Sequence, residues 1–205
     1  MYKLYQGAPH SPVIVLNAEN NTDELWELLD QKVSLIVFKD FDWFDDLSPW
    51  QMDPLFKDQG FGGHGQDYLR KIEGEIQEAM RQLEEPGELM IAGYSLAGLF
   101  ALYAMYESDL FHGVISCSSS TWFKDFKDYA LKTPIKSPVH TIYLSLGDKE
   151  KNSRNPIMAT VEENTLALYN KYKNEVEETV FKYEKGGHFK DENGRLARGI
   201  LWAVK

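Results

Sequence analysis

The chain has 205 residues, 43% of them hydrophobic, a net charge of −10 and one cysteine. That length and apolar content suit one packed domain over 1–205. The charge argues against nucleic acid or an anionic membrane as partner, no apolar run is long enough to span a bilayer, and Cys117 alone excludes an internal disulfide framework.

In chain order, strands and helices alternate. The opening residues Met1 to Gly7 lack the apolar stretch of a secretion signal, which together with the lone cysteine points to a cytoplasmic protein. Val13–Leu16 reads as a short strand. Asn21 is placed to cap a helix, with Glu24 three residues on and Leu25, Trp26, Leu28 and Leu29 on its apolar side. Val33–Phe38 is an almost continuous apolar strand of the kind buried on both faces. From Lys39 to Gln66 two prolines and four glycines predict irregular chain. Tyr68–Glu84 is an amphipathic helix, with Leu69, Ile72, Ile76, Met80 and Leu83 at helical spacing. A strand from Leu89 leads through Ser95 into a helix beginning near Leu99. Gly113–Cys117 is the next strand, and it makes Cys117 a core residue rather than a nucleophile. Ser118–Pro138 reads as irregular. A strand at Thr141–Leu146 precedes a helix from about Pro156 to Lys173. A strand at Thr179–Tyr183 precedes a terminal helix from about Asn193 to Val204. Six strands alternating with helices imply an α/β fold with a doubly wound, mostly parallel sheet. No segment is long enough for a separate lid domain.

Gly93-Tyr94-Ser95-Leu96-Ala97 has the form of a nucleophile elbow, in which a serine sits on a tight strand-to-helix turn above a helix N-terminus. The turn needs small residues two before and two after the serine. Gly93 meets the first need, and Ala97 stands where glycine is usual. After the serine, the Thr141 strand ends in Gly147-Asp148-Lys149-Glu150. The Thr179 strand ends in Glu184-Lys185-Gly186-Gly187-His188-Phe189. Nucleophile, acid and histidine thus follow one another in the order used by α/β-hydrolases, each just after a strand.

Together with these segments, Ser118-Ser119-Ser120-Thr121-Trp122-Phe123 makes the last two-thirds of the chain resemble bacterial α/β-hydrolases of the esterase D and enterochelin-esterase-like group. Arg195 and Trp202 in the terminal helix also fit that group. The resemblance implies a single-domain α/β-hydrolase fold and cleavage of carboxylic esters, thioesters or siderophore-type esters, with acyl transfer in some relatives. No cofactor and no metal are expected.

The chemistry assigns the roles. Ser95 is the expected nucleophile and His188 its base, with Glu150 or Asp148 orienting the imidazole. Glu150, three residues after Gly147, is the favoured acid. Leu96 is expected to give one backbone oxyanion donor. The second is placed in the turn after Val33–Phe38, at Asp42 or else Phe41. Aromatic residues crowd the two irregular segments, and Trp43, Trp122 and Tyr94 are expected to contact a small-molecule ester substrate. The acidic run Asp40, Asp42, Asp45 and Asp46 reads as a solvated loop without a histidine at ligand spacing. The open alternatives are an acyltransferase or peptidase using the same triad, or a non-catalytic binding protein that retains the elbow.

Overall fold

The computed structural model describes residues 1–19, 22–56 and 59–205. Asn21, the expected helix cap, lies outside them. Seven strands form one sheet in the order β1 (Tyr2–Tyr5), β3 (Ser34–Phe38), β2 (Val13–Asn17), β6 (Leu89–Tyr94), β7 (Gly113–Cys117), β8 (Thr141–Gly147) and β9 (Glu178–Glu184). All neighbours are parallel except β1, which runs antiparallel to β3. A separate hairpin pairs β4 (Met52–Phe56) with β5 (Gln59–Phe61).

The helices are α1 (Thr22–Leu29), α2 (Gly65–Gln82), α3 (Leu96–Glu107), α4 (Phe126–Lys132), α5 (Val161–Glu175) and α6 (Glu192–Ala203). Side chains alternate across a strand, so each central strand feeds two cores. Val13 and Val15 of β2 join the layer that holds α2, α3, α4 and α5, whereas Ile14 and Leu16 join the layer that holds α1 and α6. Every residue of β2, β3, β6, β7 and β8 is buried, while the edge strands β1 and β9 are partly exposed. Helix α3 is buried from Leu96 through Tyr106. A helix apolar on all sides belongs in an interior, and this one lies between the sheet and outer helices.

The doubly wound α/β architecture and the six expected strands are present. Three short strands were not legible. β1 is a four-residue edge with one buried residue, too short for a periodic signal. β4 and β5 fall inside the stretch expected to be irregular. Pro54 is compatible with β4 because a two-stranded ladder is all edge. Helix α4 likewise occupies part of the expected irregular segment after Ser118. Within α1, Leu25 and Leu29 are buried but Leu28 is 46% exposed, so the apolar side is narrower than the sequence suggests.

Candidate active site

Parallel strands that share a direction end at one edge of the sheet, and loops leaving that edge build the site. β6 ends at Tyr94, and Ser95 makes the turn into α3 with φ 58° and ψ −122°. This left-handed backbone is strained for a residue with a side chain. Three main-chain hydrogen bonds over-determine it. The Ser95 N–H donates to the Cys117 carbonyl at 3.1 Å, and the Ser95 carbonyl accepts from Leu99 and Ser120, each at 3.1 Å. The turn is tight enough that a Cβ on Gly93 would lie 2.2 Å from the Ala97 carbonyl oxygen. Position 93 therefore excludes every side chain, whereas position 97 accommodates its methyl group. Gly-x-Ser-x-Ala keeps the part of the elbow that geometry requires.

The Ser95 hydroxyl lies 2.9 Å from His188 Nε2. His188 sits in the loop between β9 and α6, and its Nδ1 is 2.8 Å from Glu150 Oε2. Ser95, His188 and Glu150 thus form one continuous chain of hydrogen bonds. The other Glu150 oxygen, Oε1, accepts from the Gly147 N–H at 2.7 Å, the Ser118 hydroxyl at 2.7 Å and Arg195 Nη1 at 3.2 Å. Asp148 does a different job on the same loop, accepting the Gly186 N–H on Oδ1 at 2.8 Å. Gly186 has φ +107°, a conformation that favours glycine. Of the two carboxylates, Glu150 reaches the imidazole and Asp148 anchors its loop.

Arg195, on α6, is fully buried and ties these pieces together. Its Nη1 donates to the Tyr94 hydroxyl at 3.0 Å and the Ser118 hydroxyl at 2.8 Å, as well as to Glu150. Its Nη2 donates to the Gly187 carbonyl at 3.0 Å and more weakly to the Lys185 carbonyl at 3.4 Å. The Tyr94 hydroxyl in turn donates to the His188 carbonyl. One buried guanidinium, countered by Glu150, thereby fixes the histidine loop from below. Burial by itself pushes the Glu150 carboxyl up. Hydrogen bonds from His188, Ser118 and Gly147 and attraction to His188 outweigh that, and the carboxyl lies below its ordinary value. Burial pushes the Tyr94 phenol up to about 12, so it stays a neutral donor. Cys117 is fully buried, with its thiol also pushed up to about 12 by burial, so it is no thiolate nucleophile.

Two placements differ from the sequence reading. The Asp42 N–H is taken by the Asp46 carboxylate at 2.9 Å, which removes it as a free oxyanion donor. The Asp42 side chain caps its own turn, accepting the Phe44 and Asp45 N–H groups. Phe41 follows β3, and β3 is separated from β6 by β2. The segments that leave the sheet next to the serine strand are those after β2 and β7, because β6 pairs with both. Trp122 is the second. It is 8% exposed and packs against Phe61 and Phe123 under the β4–β5 hairpin. It does not line the cavity whose walls include Trp43 and Tyr94. That cavity, of about 470 Å³, opens between the ends of β2 and β6 and the start of α6.

The sequence reading missed the contacts that Arg195 and Ser118 make with Glu150 and the histidine loop. Arg195 carried a signal, since an arginine on the inward stripe of an amphipathic helix must find acceptors inside. Among the described residues, no three His, Cys, Asp or Glu side chains gather as a metal site, and no helix is long and apolar enough to cross a membrane.

No protein-family model matches the chain, and no curated protein matches its sequence. Its fold is that of solved α/β-hydrolases. An IroE-like serine hydrolase from Shewanella oneidensis superposes with a TM-score of 0.80 at 19% identity, over 99% of this chain and 75% of that one. The siderophore hydrolase EstA from Aspergillus nidulans gives 0.75 at 17% identity, over 95% and 82% of the two chains. Acyl-protein thioesterase 2 from Zea mays gives 0.59 at 14% identity, over 100% and 99%.

Proposed function

We propose that this chain is a serine hydrolase that cleaves a small-molecule ester or thioester through an acyl-enzyme on Ser95. The unbroken Ser95–His188–Glu150 relay carries this reading, and the esterase and thioesterase structures that share the fold support it.

In the first half-reaction, His188 Nε2 takes the Ser95 hydroxyl proton as Oγ bonds to the substrate carbonyl carbon. The carbonyl electrons move onto oxygen. Leu96 N–H, in the first turn of α3 without an acceptor inside its helix, stabilises that oxyanion. A second N–H comes from the segment after β2, with Glu19 the described candidate. The imidazolium then protonates the departing alkoxide or thiolate as the carbon–heteroatom bond breaks. Water, deprotonated by the same nitrogen, repeats the sequence on the acyl-enzyme and frees the acid and Ser95. Throughout, Glu150 holds the Nδ1 proton and stabilises the imidazolium. Trp43 and Tyr94 form part of the wall that the substrate meets. Cys117, buried and unpaired, and the net charge of −10 are compatible with a cytoplasmic enzyme that acts on soluble esters.

A fluorophosphonate probe tests the reading. It should label the wild type and leave Ser95→Ala unlabelled while that variant keeps its fold by circular dichroism. Labelling of another serine, or none in folded wild-type protein, would overturn it.

A further inference from the structure

Of the three hydroxyls in the Ser118-Ser119-Ser120 run after β7, only the first has a part in the site described above, donating to Glu150 and accepting from Arg195. The third stands against the nucleophile. β7 lies beside the serine strand, with Cys117 in register with Tyr94. From there the chain brackets Ser95 with its own backbone. The Cys117 carbonyl accepts the Ser95 N–H, the chain turns at Ser118 with φ 45°, and the Ser120 N–H donates to the Ser95 carbonyl, both bonds being 3.1 Å. Ser120 is 2% exposed, and its carbonyl accepts the Phe123 N–H at 2.9 Å. These bonds hold the Ser120 hydroxyl 3.5 Å from Ser95 Oγ, its one side-chain partner among the described residues.

Of the two hydroxyls, that of Ser120 is the donor. The Glu150 carboxyl lies below its ordinary value, so it is ionised near neutrality and accepts the N–H of His188 Nδ1. That leaves a lone pair on Nε2, which accepts the Ser95 proton at 2.9 Å. The Ser95 oxygen then has only lone pairs to offer Ser120. At 3.5 Å the contact is weak in the resting enzyme, because O–H···O bonds run about 2.5–3.0 Å. It has room to strengthen. Hydrogen bonds to an anion are shorter and about twice as strong as neutral ones, and those to catalytic groups often tighten only toward the transition state. An interaction that is weak in the ground state and strong in the transition state raises kcat.

We infer that Ser120 is a further catalytic residue, its hydroxyl donating to Ser95 Oγ whenever that oxygen carries developing charge. The inference rests on the hydrolase reading and adds a donor to it. In acylation the Ser95 proton passes to His188 as an Oγ electron pair bonds to the carbonyl carbon, and Ser120 stabilises the charge that builds on Oγ before that bond is complete. In deacylation the carbon–Oγ bond breaks, its electron pair returns to Oγ, and the imidazolium returns the proton. Ser120 faces the same charge again, and its own proton stays in place throughout. Both half-reactions benefit, because Oγ is the nucleophile of one and the leaving group of the other. The backbone oxyanion donors serve the carbonyl oxygen instead.

Ser120→Ala and Ser120→Cys separate donation from packing. Alanine removes the hydroxyl, whereas cysteine keeps a side chain of similar shape with only a weak S–H donor. With p-nitrophenyl acetate, the burst gives the acylation rate and the phase after it the deacylation rate. Both rates should fall about tenfold to a hundredfold in each variant, the range for a hydrogen bond to a charged group. Substrate affinity from the concentration dependence of the burst, and the urea midpoint, should stay near wild type. Fluorophosphonate should still label Ser95 alone, but more slowly. Rates within twofold of wild type in Ser120→Ala, wild-type rates in Ser120→Cys, a loss carried by substrate affinity or by one half-reaction alone, or label on Ser120 would overturn the inference and leave the hydrolase reading standing. If Ser120→Ala does not fold, the two rates of Ser120→Cys decide by the same criteria. Folded wild-type protein that neither turns over esters nor labels would overturn the hydrolase reading, and this inference with it.

Discussion

Glu150→Gln separates chemistry from scaffold, because the structure dictates which way the new amide must face. Glu150 Oε1 accepts three donors, from Gly147, Ser118 and Arg195, while Oε2 faces only His188 Nδ1. The glutamine carbonyl must therefore occupy the Oε1 position, and its NH₂ must face Nδ1. An amide donor there forces Nδ1 to become the acceptor and puts the ring proton on Nε2. The imidazole then presents N–H to Ser95 instead of a lone pair. Enforcing the wrong tautomer in such a triad costs about 10⁴ in kcat, or about 5 kcal/mol of barrier. Arg195 also loses its buried counter-charge, which should lower stability by about 3 kcal/mol. Asp148→Asn makes the control. Its carbonyl oxygen can still accept the Gly186 N–H, so kcat should fall less than about tenfold on the scale of one weakened hydrogen bond. Steady-state hydrolysis of p-nitrophenyl acetate measures the first effect, and urea unfolding the second. A larger kcat loss in Asp148→Asn than in Glu150→Gln, or a Glu150→Gln enzyme within tenfold of wild type, would refute the reasoning.

The same geometry fixes other outcomes. Gly93→Ala should give little soluble protein, because the new Cβ meets the Ala97 carbonyl oxygen at 2.2 Å, whereas Ala97→Gly should fold and label normally at a cost of about 1 kcal/mol; expression yield and probe labelling decide. Trp122→Ala should lose about 3–5 kcal/mol in urea unfolding while Ser95 still labels below the transition, as expected of a packed residue rather than a substrate contact. Because the folded Glu150 carboxyl lies below its ordinary value, its stabilisation is present above the unfolded value of about 4.3 and is lost as pH falls through the folded one. The stability gap between wild type and Glu150→Gln should therefore be largest near neutrality and narrow in acid, and a gap that widened in acid would contradict the assigned direction. Tyr94→Phe removes the donor to the His188 carbonyl and an acceptor of Arg195, and should lower kcat without abolishing Ser95 labelling.

The sequence by itself determined the architecture and the order of the reacting residues. Continuous apolar strands, amphipathic helices and a small-residue serine turn are local patterns. Local patterns suffice where burial has a period and backbone strain demands glycine, as at Gly93. Tertiary structure decided what depends on which strand lies beside which. Glu150 and Asp148 are two residues apart with nearly the same chemistry, and only the return of β9 alongside β8 puts one against His188 and the other against Gly186. Strand order, which no periodicity encodes, places β2 rather than β3 beside the serine strand β6. Trp43 and Trp122 each follow a strand, yet the β4–β5 hairpin buries one in an aromatic cluster and leaves the other on the cavity wall. Arg195 is one charge in a terminal helix until the fold encloses it, and enclosure then obliges it to find Glu150, Ser118, Tyr94 and the histidine loop, since a buried guanidinium without acceptors has no place in a folded chain.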